Sequence, residues 1–148
     1  MWKETLEKVR AQEAGFGGEL NGPASEAEIK KFQEEISKVG ASVPDEYYDF
    51  LRVINGFEYN GYIIYGIDEE LLDGATTKGT TGFLLQRKVW EETSSGEYTY
   101  LGEGSMDLYA YGVETKKFYV LDNGSDDVME EFDSFDELLE RIMSHSLL

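Results

Sequence analysis

The side chains able to do chemistry in this chain are almost all carboxylates. Thirty-one Asp and Glu stand beside one histidine, His145, and no cysteine. A catalytic triad needs a base held beside a nucleophile, and His145 lies near the C-terminal end, where chains commonly fray. Triad and zinc–histidine chemistry are therefore not expected. Without cysteine there is no thiol nucleophile, no cysteine metal site and no disulfide.

Paired carboxylates are the remaining candidates for acid–base work. A glycosidase needs two such groups flanking one bond at about 5 to 9 Å. Neighbours such as Glu91-Glu92 and Glu130-Glu131 do not meet that need, because adjacent side chains point to opposite faces of a strand and diverge by about 100° on a helix. No acid is singled out as catalytic. Gly102-Glu103-Gly104-Ser105 has the glycines of a phosphate loop but lacks its Gly-Lys-Ser/Thr ending, so it reads as a hairpin turn. In DNGSDDVMEE, residues 122–131, the glycine falls third instead of sixth, and the loop cannot turn as an EF-hand does. The sequence predicts no metal site, no cofactor and no enzyme activity.

What the carboxylates do supply is a field. The formal net charge is −18, which repels nucleic acid and anionic membrane and attracts cations and basic proteins. Residues 118–148 hold nine acids (Asp122, Asp126, Asp127, Glu130, Glu131, Asp133, Asp136, Glu137, Glu140) opposed only by Arg141, so the negative pole is expected there. No apolar run approaches the ~18 residues of a membrane span, and the opening MWKETLEKVRAQE lacks an apolar signal core. A cytoplasmic protein is expected, with neither nucleic acid nor membrane as partner.

The elements that must carry these groups are legible in the periodicity. Trp2, Leu6 and Val9 predict a helix over 2–13. Ser25 with Glu28 forms a capping-box signature for a helix carrying Ile29, Phe32, Ile36 and Val39 up to Gly40. A third helix is expected from Pro44, with Asp45 and Glu46 in its first turn, burying Tyr47, Phe50, Leu51 and Ile54 and ending at Asn55-Gly56. Strands are predicted at Tyr62–Tyr65, Tyr98–Leu101, Leu108–Val113 and Phe118–Leu121, with a last edge strand over Val128–Phe132. Ser134 with Glu137 caps a closing helix carrying Phe135, Leu138, Leu139 and Ile142. Residues 67–82 read as loop, and 83–92 fit neither period cleanly. The fold class is α+β: N-terminal amphipathic helices packed on a mainly antiparallel sheet closed by a C-terminal helix, one domain over 1–148 with its core at about 20–143 and a helical extension at 2–13.

Ten tyrosines, eight phenylalanines and two tryptophans exceed what a small core needs. Tyr47, Phe50 and Phe57 are expected in the core. Strand alternation puts Tyr109 and Tyr111 on one side and Tyr98 and Tyr100 likewise, so one face of the sheet is either a tyrosine-lined groove or ordinary buried core.

The order of a capped helix over ASEAEIKKFQEEI, a Val-Pro-x-x-Tyr-x-x-Phe-Leu helix and an Asn-Gly stop, carried by Val43, Pro44, Tyr47, Phe50, Leu51, Asn55 and Gly56, resembles the signature of the SUKH superfamily, whose fungal branch contains the Smi/Knr cell-wall regulators. The resemblance favours a helix at 83–92 and covers roughly residues 20–143. It implies a binding module instead of an enzyme, similar to the bacterial SUKH proteins that give immunity against polymorphic toxins, many of them nucleases.

Charge and resemblance converge on an acidic immunity protein that occludes a cationic toxin domain. The expected contact is Asp122, Asp126, Asp127, Glu130 and Glu131, anchored by Tyr98, Tyr100, Tyr109 and Tyr111, with Asp68, Glu69, Glu70 and Asp73 as a second rim. Two alternatives stay open: a regulatory scaffold like the fungal relatives, and a small-ligand or enzymatic domain with a pocket between helices and sheet.

Overall fold

The computed structural model of the chain describes residues 1–73, 81–90 and 96–148. Among them are five α-helices: α1 (Trp2–Gly15), α2 (Glu26–Val39), α3 (Asp45–Leu51), α4 (Phe83–Trp90) and α5 (Phe135–Ser146). Six strands, β1 (Phe57–Tyr59), β2 (Tyr62–Ile64), β3 (Tyr98–Glu103), β4 (Asp107–Gly112), β5 (Phe118–Asp122) and β6 (Val128–Phe132), form one antiparallel sheet in sequential order. This is the expected α+β architecture. Each strand pairs with its sequence neighbour, through short connections except between β2 and β3, where residues 65–97 with α4 intervene.

Local chemistry explains most of the boundaries. The Ser25 hydroxyl accepts from the Glu28 N–H, the Glu28 carboxylate accepts from the Ser25 N–H, and Gly40 closes α2 in the left-handed conformation. Ser134 caps α5 by accepting from the Glu137 N–H. Pro44 differs from expectation. With ψ at 149° it is extended and precedes the helix, so α3 begins at Asp45.

Asn55 does not end α3, which stops at Leu51. It is a buried junction instead. Its side-chain oxygen accepts from the Ile67 N–H, its N–H donates to the Gly22 carbonyl, and its own carbonyl accepts from the Asn21 side chain. Gly56 follows at φ +80°. Ile54 lies beyond the helix yet remains fully buried with Tyr47, Phe50 and Leu51.

The main core lies between the helices and one face of the sheet, and aromatic rings fill it. Tyr47 stacks on Phe50 at 6.2 Å, and Phe118 stacks on Phe135 at 5.4 Å. Helix α1 lies against α5: the Trp2 indole N–H donates to Asp136 at 3.0 Å, and the Thr5 hydroxyl donates to Glu140 at 2.7 Å. Trp2, Leu6 and Val9 are buried as their spacing predicts. The helix over Phe83–Trp90 is present, while residues 74–80 of the predicted loop and the pair Glu91-Glu92 lie outside the described residues. Sequence reading missed β1, a strand of only three residues.

Candidate functional site

The β5–β6 connection is built around Asp122. Its carboxylate accepts from the N–H groups of Gly124 and Ser125 and from the Ser125 hydroxyl, each at 3.0 Å. Those bonds, the Ser125 N–H foremost, hold the Asp122 carboxyl below the usual carboxylate range. One carboxylate oxygen, Oδ2, thus takes all three donors, and Asp122 serves to close the turn. Asp126 follows at φ +61°, a left-handed position that Asp tolerates better than most residues. Asp126 and Asp127 project into solvent, and no ion pair reaches either one among the described residues.

The acids of β6 are placed differently. Val120 on β5 faces Glu130, and Tyr119 faces Glu131, so the two glutamates point to opposite faces of the sheet. Glu130 lies on the helix side, where Arg141 of α5 donates to it at 2.9 Å. Arg141 is largely buried, at 14 % side-chain exposure, and its other nitrogen is 3.6 Å from Asp107. Glu130 is therefore tied to α5, while its side chain stays 39 % exposed. Glu131 lies on the far side, 3.4 Å from Lys117, which is also 3.8 Å from Asp133.

The tyrosines divide between the two faces. Tyr98 pairs with Gly112, Thr99 with Tyr111, and Tyr100 with Ala110, so Tyr98 and Tyr100 stand on the face opposite Tyr109 and Tyr111. Tyr109 is fully buried and Tyr111 nearly so within the helix-side core. They cannot anchor a partner on the folded surface, and this corrects their place in the expected contact. Tyr98 and Tyr100 are half-buried on the far face, and the Tyr98 ring meets Tyr119 at 5.5 Å. Burial raises the Tyr98 phenol above its ordinary pKa, and the charges of Glu97, the neighbouring Tyr119 and Asp126 raise it further. Asp126 thus acts on the far-face tyrosine cluster. Leu108, Ala110 and Leu121 lie beneath that cluster and are buried.

Two features escaped the sequence. At the rim of β6, Val128 and Met129 are 52 % and 57 % exposed, and Met106 of the β3–β4 turn is 72 % exposed. The Met106 carbonyl accepts from the Asn123 N–H at 3.0 Å, which ties its turn to the β5–β6 turn. The second is Asp68. It is buried, with its carboxylate accepting from the N–H groups of Leu84 and Leu85 at 2.9 and 3.0 Å, and so caps α4 from a distant loop. The suggested second rim loses it. Asp73 pairs with Lys31 at 3.0 Å, and Glu69 and Glu70 remain exposed.

The residues that carried the sequence signature have structural roles. Tyr47, Phe50 and Leu51 are fully buried, the Tyr47 hydroxyl donates to the Tyr65 carbonyl, and Pro44 and Val43 pack at the entry to α3. No helix among the described residues is long and apolar enough to cross a membrane. A model of the SMI1 / KNR4 family (SUKH-1) matches residues 23–141. No curated protein matches the chain.

Proposed function

Because the chain belongs to the SMI1 / KNR4 family (SUKH-1), we propose that it is a non-enzymatic immunity protein that blocks a basic toxin domain by covering it. The observation that carries this reading is the exposed corner at the end of the sheet. There Asp126 and Asp127 stand without ion pairs among the described residues, beside Val128 and Met129. Exposed carboxylates steer a cationic partner, and apolar contacts then slow its release. A nuclease active site is basic because it holds phosphates, so an acidic corner fits it. The contact comprises Asp126, Asp127 and Glu131 with Tyr98 and Tyr100 on the adjoining face. Asp122 contributes by shaping the turn. Inhibition is occlusion and involves no chemistry.

Co-expression tests the reading. A basic toxin domain encoded beside this gene is expected to be harmless in the presence of the protein and lethal in its absence. Failure of every neighbouring product to bind would remove the immunity reading and favour a regulatory scaffold.

A further inference from the structure

The main chain of β6 is half-used. The Gly112 N–H donates to the Lys117 carbonyl, and from that bond the β4–β5 ladder alternates, so Lys117, Tyr119 and Leu121 turn their main-chain groups toward β4. Phe118, Val120 and Asp122 must then face β6, and the Asp122 N–H does donate to the Asp127 carbonyl. Their partners on β6 include Phe132 and Glu130. That leaves the N–H and C=O groups of Glu131 pointing away from the sheet, while the register shift between Glu130 and Val128 interrupts the alternation at Met129. Beyond β6 there is no further strand among the described residues. The opposite edge, β1, has three residues, and two of its side chains are buried.

An edge strand is ordinarily protected by charge or by a bulge. β6 has a register shift at Met129 and acids at both ends, but Val128 and Met129 between them are more than half exposed. Charge decides what such an edge accepts. A second copy laid antiparallel would bring Asp126 and Asp127 against Glu131 and Asp133, and like charges placed opposite one another destabilise a strand pair. A partner strand with basic ends and an apolar middle meets attraction at both ends and covers Val128 and Met129 between them.

The geometry points to β6 as a docking edge at which an extended basic segment of the partner protein adds a seventh strand, bonding to the main chain of Glu131. This rests on the proposed function and specifies how the contact is made. Main-chain bonds supply affinity in strand addition, and flanking side chains supply selectivity. Glu131 presents both its N–H and its C=O, so one residue of the incoming strand exchanges both bonds with it. The acids at the two ends of β6 set its position along the edge.

The test uses the full chain and two synthetic peptides. One is Lys-Arg-Val-Ile-Val-Lys-Arg, and the other is the same peptide N-methylated at its three central residues, which keeps every charge and removes the donors. The unmodified peptide is expected to bind and to slow amide exchange at Glu131 by about tenfold or more. The methylated peptide is expected to bind about tenfold more weakly. Glu131→Pro, which removes the outward donor, is expected to weaken binding of the unmodified peptide more than Glu131→Gln, which removes the same charge and keeps the donor. Equal binding of the two peptides, unchanged exchange at Glu131 in the bound state, or no binding of either peptide would overturn strand addition. The co-expression result bears on occlusion whichever way the peptides behave, so the two failures are separable.

Discussion

Arg141 on α5 reaches Glu130 on β6 at 2.9 Å, and it is the only lysine or arginine in residues 118–148. One guanidinium therefore fastens the closing helix to the edge strand. Arg141→Ala leaves Glu130 and Asp107 without their cation in a partly buried site and is expected to cost about 1–2 kcal/mol. Glu130→Gln is expected to cost less, since an amide oxygen still accepts from Arg141. Denaturant unfolding of both variants and of the double variant checks the coupling.

Because Glu130 is tied down, the surface charge is best altered elsewhere. Asp126→Asn with Asp127→Lys keeps a residue that tolerates the left-handed conformation at position 126 while moving the charge. Association with a cationic partner is expected to slow by about tenfold and to depend less on salt. The unfolding midpoint should move little. Stopped-flow association at two ionic strengths checks it, and an unchanged rate would move the contact away from the β5–β6 turn.

Asp68 and Asp122 respond to pH in opposite senses. Burial lifts the Asp68 carboxyl above its ordinary value despite the N–H groups of Leu84 and Leu85. A folded state that holds a proton more tightly than the unfolded chain gains stability as that proton binds, so the Asp68 contribution improves as pH falls through the range just above about 4. Asp122, held low by the Ser125 and Gly124 N–H groups, stabilises above its ordinary value, and that contribution is lost as pH falls through its lower folded value. Wild-type stability relative to Asp68→Asn should therefore rise on acidification. Relative to Asp122→Asn it should fall. Melting curves from neutral pH downward check both signs.

Gly102 permits the close passage of β2 and β3. A β-carbon there would press on the Ile63 carbonyl and the Tyr109 ring, and neither has room to move within a paired, buried sheet. Gly102→Ala is expected to cost about 2–3 kcal/mol, and chemical denaturation checks it.

Helix positions were legible because their signals are local. The Ser25–Glu28 box, Gly40 and the Trp2, Leu6, Val9 spacing each act within a few residues, and β6 ends where turn residues bound it. The faces of the tyrosines were not legible in the same way. Parity along β3 shows that Tyr98 and Tyr100 share a side, and parity along β4 shows the same for Tyr109 and Tyr111. Only the inter-strand register decides whether those sides coincide. That register includes a bulge between Tyr100 and Gly102, which no local pattern announces. Asn55 and Asp68 escaped for a related reason: each satisfies main-chain groups far away in sequence, at Ile67 and at Leu84 and Leu85.

The bond from Trp2 to Asp136 has a consequence for synthesis. Each strand after β1 can zip onto the one made just before it, but Trp2 must wait until α5 has left the ribosome. Until then the indole has Phe50 of α3 beside it but lacks its bond to α5. The seating of α1 thus depends on a partner translated 134 residues later.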